Sequence, residues 1–113
     1  MGDRNLQVLP GTLEMLVLNV LTASPEHGWG IGQRLQQASR GVLEVNQGSL
    51  YPALQRLLER GWIKSEWRVT ESGRRARYYR VTASGLRQLE KQRGSWARQV
   101  EAVTWVMDWA GGQ

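Results

Sequence analysis

The chain of 113 residues has no cysteine and no phenylalanine, and it has a single histidine. Without cysteine, neither a disulfide framework nor a thiolate metal site can form. The histidine, His27, has Glu26 as its acidic neighbour, and adjacent residues do not share a helix face, so we interpret His27 as a loop residue without a special role. The 13 glycines are scattered and form no phosphate-binding loop. We therefore expect no enzyme, no metal site and no cofactor.

Long apolar segments are also missing. No run approaches the roughly 20 residues of a membrane-spanning helix, and the N-terminus lacks the apolar core of a signal peptide. The sequence thus favours a cytoplasmic protein. Its hydrophobic share of 41% is enough for one modest core.

The sequence does contain a concentrated positive charge. The formal net charge is +5, and most of the excess lies within residues 64–81, which hold six basic and two acidic residues. Arginine predominates there, and guanidinium groups bind phosphate bidentately and stay charged. A solvated face is the plainer interpretation of a charge run, but such a local set of arginines favours a polyanionic partner.

The first predicted helix begins at Thr12, which we expect to cap it, and stops at Ser24-Pro25. Its apolar residues follow helical spacing. They are Leu13, Leu16, Val17, Val20 and Leu21. Met15 and Leu18 lie off that stripe, so the helix is apolar on more than one side. In so small a chain, the second side is expected to meet a partner subunit.

Two further helices are predicted before the basic segment. One covers residues 29–39, with Ile31, Leu35 and Ala38 facing inward, and a short strand is expected over residues 42–45. The next ends before Gly61 and buries a leucine stripe. Its start is either Asn46 or Ser49. Asn46 is a good cap, but Pro52 then lies beyond the first turn and loses a hydrogen bond, whereas Ser49 would place Pro52 more comfortably; we favour Asn46 with an irregular first turn.

A β-hairpin follows, with strands over residues 62–69 and 76–81 and a turn at Ser72-Gly73. Of the adjacent Tyr78 and Tyr79, one is expected to face the core. Three helices followed by a basic hairpin are the order of a winged helix-turn-helix, so the predicted fold class is mainly α with a small β component (α+β).

A long final helix is predicted from its cap at Thr82 to Gly111-Gly112. Steps of three and four residues form an apolar seam that is typical of packing against another helix. The seam consists of Leu86, Leu89, Arg93, Trp96, Val100, Val103, Met107 and Ala110. Arg93 is the charged exception, and it should face water or find a carboxylate partner. We therefore divide the chain into a DNA-binding domain, residues 1–81, and a dimerisation helix, residues 82–113.

Several segments together resemble the PadR family of bacterial transcription regulators. They are HGWGIGQRL (residues 27–35), GSLYPALQRLLERGWI (residues 48–63) and GRRARYYRVTASG (residues 73–85). The resemblance extends from about Leu9 to Met107, and the single C-terminal helix is similar to that of the compact subgroup. It implies a sequence-specific DNA-binding regulator that acts as a homodimer and a repressor, and that in some members releases DNA on binding a small aromatic compound.

The predicted DNA-binding residues lie on the third helix and on the hairpin. On the helix they are Gln47, Ser49, Tyr51 and Gln55, because side chains on a helix in the major groove read base edges. Without the hairpin, these four could equally be the wet face of an amphipathic helix. On the hairpin they are Arg74, Arg75 and Arg77, as phosphate contacts, while Arg80 is either a contact or a structural strand residue.

The predicted dimer interface combines the final helix with the first helix of the partner. Its residues are Met15, Leu18, Leu89, Trp96, Val100, Val103 and Met107. For Trp96, two interpretations stay open. The resemblance implies a pore at the dimer interface in which a tryptophan here stacks on planar aromatic ligands, whereas aromatic residues at helical spacing usually serve packing.

The main alternative function is a winged helix that binds another protein and not DNA. Such a module should have a weakly basic wing and an apolar face on its third helix, and this sequence has the reverse.

Overall fold

The computed structural model describes residues 6–9 and 11–111. Three helices come first, each preceded by a short strand, and then an antiparallel hairpin and a long helix. In chain order the elements are β1 (Leu6–Gln7), α1 (Leu13–Leu21), β2 (Glu26–His27), α2 (Gly28–Ala38), β3 (Leu43–Glu44), α3 (Gln47–Glu59), β4 (Ile63–Val69), β5 (Arg75–Val81) and α4 (Ala83–Asp108). The predicted fold class, mainly α with a winged hairpin, is confirmed.

The core lies where α1, α2 and α3 meet the base of the hairpin. Its fully buried members from the three helices include Val17, Leu18, Ile31, Leu54 and Leu57. Ile63 and Tyr79 extend the core onto the hairpin, and Leu89 extends it onto α4. The hairpin and the start of α4 are thereby fixed to the helices, so the position of the wing relative to α3 is set by packing.

Side-chain caps define the starts of three helices. The Asn46 carboxamide oxygen accepts a hydrogen bond from the Ser49 N–H at 2.8 Å, and the Thr82 hydroxyl accepts one from the Gly85 N–H at 3.0 Å, so both predicted caps are confirmed. Thr12 is different: its hydroxyl donates to the Leu9 carbonyl, so it does not cap α1. The interpretation of His27 as a loop residue was also wrong, because its Nδ1 accepts from the Gly30 N–H and caps α2.

The hairpin strands pair from Ile63 with Val81 to Val69 with Arg75, and β2 pairs with the other edge of β5. Successive residues of a strand point to opposite faces. Because Ile63 and Tyr79 face the core, the same face beyond the core carries Trp67, Val69, Arg75 and Arg77; we call this the inner face of the wing. The outer face carries Lys64, Glu66, Arg68, Tyr78 and Arg80. The two-residue strands β1 and β2 were not predicted, because so short a segment has no periodicity.

Helix α4 leaves the core after its first turns. Gly85 lies so close to the Trp62 carbonyl that a Cβ there would clash, and Leu89 is buried, but every residue from Arg93 to Asp108 is exposed. The helix ends at Asp108, earlier than the predicted Gly111-Gly112, of which Gly112 lies outside the described residues. Ala38 was predicted to face inward and is exposed, because it lies in the last turn of α2, beyond the core. No helix in residues 6–9 and 11–111 is long and apolar enough to cross a membrane.

Candidate nucleic-acid interface

The outward side of α3 carries all four residues predicted for base reading. Gln47, Tyr51 and Gln55 follow one another at four-residue spacing, so they form one strip along the helix. Ser49 is also exposed, but it lies about 200° around the helix from Gln47, on the other flank of the outward side. The structure thus brings three of the four residues into one strip and separates the fourth.

The strip is uncharged because the basic residues of α3 point elsewhere. The Glu14 carboxylate on α1 binds Arg56 Nε at 2.6 Å and Arg60 at 3.1 Å. These two ion pairs hold both guanidinium groups toward α1, where the single carboxylate offsets half of their combined charge. The Gln55 side chain contacts Glu59 at 3.4 Å, a long hydrogen bond that a better partner can replace.

A cleft of about 550 Å³ separates α3 from the inner face of the wing. Tyr51 lines it from α3, and Trp29 lines it from the start of α2. Arg74, Arg75 and Arg77 line it from the hairpin. The predicted helix strip therefore meets the predicted wing arginines at Tyr51, although the two sets lie about 20 residues apart in sequence.

Two of the three arginines of the cleft, Arg75 and Arg77, are held by neutral groups. The Arg77 Nε donates to the Ser65 hydroxyl at 2.8 Å, and the guanidinium lies 5.8 Å from the Tyr79 ring centroid. Arg75 lies 5.1 Å from the Trp67 ring centroid. None of the ion pairs found within the described part of the chain involves Arg74, Arg75 or Arg77. Their positive charge is therefore available to an anionic partner.

The outer face of the wing is organised differently. Arg68 binds the Glu66 carboxylate at 2.8 Å, and this hydrogen bond with its charge holds the pKa of Glu66 below its usual value. Arg80 lies opposite Lys64 on this face. Arg80 therefore points away from the cleft. Tyr79 faces inward, and burial raises the pKa of its hydroxyl, while Tyr78 lies on the outer face.

Three residues of α2 border the same surface and were not predicted as site residues. Trp29, Gln33 and Gln36 line a groove with Gln47 between α2 and α3, and Trp29 is 61% exposed. An indole that is so exposed at a helix start is unusual in a packed domain. The sequence signal was the tryptophan itself, but helical spacing could not place it beside the hairpin.

Because Gly28 has no side chain, the Tyr51 ring can pack against the start of α2. A Cβ on Gly28 would lie 2.5 Å from the Tyr51 hydroxyl oxygen, so the ring rests directly on the start of α2. We expect Gly28→Ala to displace the Tyr51 ring, which is the movable end of a side chain, and to leave the fold intact. Affinity for duplex DNA should fall about tenfold, as for the loss of one good contact. The measurement is a DNA titration with a thermal unfolding curve beside it.

The matched control is Gly32→Ala in the same helix, where a Cβ would lie at an ordinary 3.6 Å from Val45. Both changes replace a glycine of α2 by alanine, although the gain in helix propensity is larger at Gly32, in the interior, than at Gly28, the first residue. Equal DNA affinity of the two variants would show that the position of Tyr51 does not matter.

The residues predicted for the dimer divide into two groups. Trp96, Val100, Val103 and Met107 are exposed on the free part of α4, and Met15 is half-buried. Leu18 and Leu89 are buried in the core of their own chain, so their predicted contact with a partner needs correction. The reason is that α4 begins by packing against α1 of the same chain, which covers both leucines.

Trp96 lies at the edge of a groove between α1 and α4. The groove has a volume of about 330 Å³, and Leu9, Met15, Gln92 and Gln99 are among its lining residues. The Gln92 carboxamide oxygen is buried and lacks a hydrogen-bond partner within the described part of the chain. Arg93, the charged exception in the seam, contacts the Glu90 carboxylate at 3.7 Å and the Asn19 side chain. It has found the expected carboxylate partner, while the groove beside it remains open.

Comparison with known proteins identifies the family. Residues 17–91 match the model of the transcriptional regulator PadR-like family. The chain is 31% identical to the PadR family transcriptional regulator of Eggerthella lenta, with a TM-score of 0.75 and coverage of 88% of this chain and 85% of the other. The PadR-like regulator of Bacillus cereus gives 26% identity, a TM-score of 0.73 and coverages of 88% and 95%. A transcriptional regulator of Mycobacterium tuberculosis is 43% identical over 58 residues, 51% of this chain and 53% of that protein.

Proposed function

The chain belongs to the PadR-like family of transcriptional regulators, which are not enzymes, and from this premise we propose that it is a homodimeric repressor that binds specific duplex DNA sequences. The observation that carries the proposal is the common surface of α3 and the wing. An uncharged polar strip adjoins three arginines without acidic partners.

The two parts of this surface suit two different tasks. Phosphate contacts supply most of the affinity for any duplex, and Arg74, Arg75 and Arg77 are the groups we assign to them. Base contacts supply specificity, and glutamine can pair bidentately with adenine in the major groove. We assign Gln47 and Gln55 to this task, with Tyr51 and Ser49 as further contacts from α3.

The proposed dimer forms through the free part of α4. This part of α4 exposes an apolar seam to water, and exposed apolar patches of this kind mark association sites. The exposed seam consists of Trp96, Val100, Val103 and Met107. Met15 of the partner's first helix is the residue we expect opposite the seam. Residues 1–81 would then serve as the DNA-binding domain and residues 82–113 as the dimerisation helix. Two-fold pairing presents two recognition helices, about one turn of DNA apart.

The groove beside Trp96 supports an effector as the finer part of the proposal. A planar aromatic compound could stack on the indole at the edge of this groove. Packing of Trp96 in the dimer is the competing role. The whole proposal places the protein in the bacterial cytoplasm, where its DNA is found. A protein-binding winged helix is the alternative, and the arginines of the cleft favour DNA over it.

The proposal is tested by the specificity of two glutamine variants. Gln47→Ala and Gln55→Ala should each lower the ratio of operator affinity to random-duplex affinity, since loss of a bidentate base contact costs about 1–3 kcal/mol of discrimination. Non-specific affinity should hardly change, because neither side chain is charged. Operator can be obtained by selecting bound sequences from a random duplex pool, and both affinities follow from fluorescence anisotropy.

Gln37→Ala is the control, because Gln37 is exposed on α2 and does not line the groove beside Gln47. If selection enriches no sequence, the chain is not a sequence-specific regulator. An unchanged specificity ratio in both glutamine variants would move recognition to other residues or to DNA shape.

A further inference from the structure

Trp67 is a large apolar side chain that the core does not explain. It lies on the inner face of the wing, is 61% exposed and is not among the residues packed against the core. Its ring has a positive charge beside it: the Cζ atom of Arg75 lies 5.1 Å from the ring centroid. That distance is within the range of a cation–π contact.

The strand register explains how the two side chains meet. Trp67 pairs directly with Arg77, and Val69 pairs with Arg75, so Trp67 and Arg75 are diagonal neighbours on one face of the sheet. Diagonal neighbours are within reach of long and aromatic side chains. The contact is therefore built into the hairpin and needs no support from other elements.

The cation–π contact leaves the N–H donors of Arg75 able to bind a phosphate. A guanidinium that stacks on a ring uses its flat face, whereas its five N–H donors lie in its plane and point outward. Those donors can still form a bidentate contact with a phosphate. A stacked arginine also loses less rotamer freedom when it binds, because part of that freedom is already lost.

The neighbouring arginine of the inner face is held in another way. Arg77 is fixed by the Ser65 hydroxyl as well as by the ring of Tyr79, which is itself in the core. For Arg75, the cation–π contact with Trp67 is the guanidinium contact found within the described part of the chain. Arg75 thus depends on an exposed ring for its orientation.

We propose that Trp67 is a positioning residue of the DNA interface: its indole holds the Arg75 guanidinium over the cleft with the N–H edges free for a phosphate. The proposal rests on the proposed function. It assigns to Trp67 an effect on affinity that acts through Arg75 and is independent of DNA sequence.

The test is a double-mutant cycle of Trp67→Leu and Arg75→Ala, with Trp67→Phe as the conservative variant. An exposed cation–π contact corresponds to about a two- to fivefold change per wing, and so to about 4- to 25-fold for two wings. Trp67→Leu should lower affinity for random duplex by this factor in the wild-type background and should have no effect in the Arg75→Ala background. Trp67→Phe should retain part of the affinity. Leucine keeps the position apolar, and thermal unfolding checks that the hairpin is intact.

Each result decides a separate point. An equal loss in both backgrounds would overturn the proposal, because Trp67 would then act without Arg75, by contacting DNA itself or by supporting the hairpin. No loss in the wild-type background would overturn it as well. If Arg75→Ala and the wild type bind equally, Arg75 does not contact phosphate, and both this proposal and the phosphate contact assigned to Arg75 in the proposed function fail, whereas the contacts assigned to Arg74 and Arg77 do not. The Arg75 Nε–H resonance without DNA gives a direct reading of the contact, since the ring current should shift it in the wild type and not in Trp67→Leu.

Discussion

Replacing Arg74, Arg75 and Arg77 together by alanine is expected to lower affinity for every duplex by roughly 10³-fold or more at about 0.1 M salt. The three side chains border the cleft opposite α3 and form none of the ion pairs of the described chain, so their loss removes phosphate contacts and breaks no internal pair. In a dimer, six contacts disappear. The slope of log affinity against log salt should then flatten by about 5, at roughly 0.9 per contact. Titrations at several salt concentrations measure both quantities.

The hairpin offers a control that matches this change in charge. Lys64, Arg68 and Arg80 lie on the outer face of the same two strands, and their replacement by alanine also removes three positive charges. If net charge alone attracts DNA, the two triple variants will behave alike. We expect the outer triple variant to keep most of its affinity and nearly its full salt slope. Equal behaviour of the two would show that the cleft is not the phosphate-binding surface.

Replacing Val100 and Val103 by glutamate should dissociate the proposed dimer. Both valines are exposed in the single chain, so the monomer fold should not change. In the dimer, each glutamate would have to leave water without a partner, and the two-fold axis doubles the cost. We expect the dimer to weaken by at least about 10³-fold and to sediment as a single chain of 12.8 kDa. Operator affinity should fall by about 10² to 10⁴, because linked half-sites are lost.

Arg98→Glu is the matched control. It changes the formal charge by two units, as the double variant does, but Arg98 lies about 140–160° around α4 from the two valines. This control should remain dimeric and bind operator. An intact dimer of the double glutamate variant would place the interface elsewhere. Comparison with the wing variant then separates the two causes of weak binding, since the wing variant should stay dimeric.

Much of this arrangement could be predicted because it depends on local signals. Asn46 and Thr82 cap their helices as expected, since a cap requires a suitable side chain within three residues of an unpaired N–H. The hairpin, and the burial of one of its two adjacent tyrosines, follow from period-two alternation and a turn signal, while the structure shows that the buried one is Tyr79. The local sequence was less informative for His27, because a cap by an imidazole nitrogen has no common sequence signature.

The predictions that were wrong or missing concern the neighbours that a side chain meets in the folded chain. Leu18 and Leu89 have the spacing of interface residues, but the spacing does not say whether the covering helix belongs to the same chain or to another. The fold answers this, because the first turns of α4 lie on α1 of their own chain and leave only the part beyond Gln92 free. Trp29 was missed for a similar reason: its neighbours Tyr51 and Arg75 are distant in sequence and meet it only after packing.

By itself, the sequence determined the winged-helix fold class, the family and the positive charge of the hairpin, since periodicity, caps, motifs and composition are all properties of contiguous residues. The tertiary structure decided which of the hairpin's basic residues face the cleft, that α3 presents an uncharged strip beside them, and that the apolar seam of α4 starts beyond the core. These features depend on the packing of elements distant in sequence, which decides the neighbours and the exposure of each side chain.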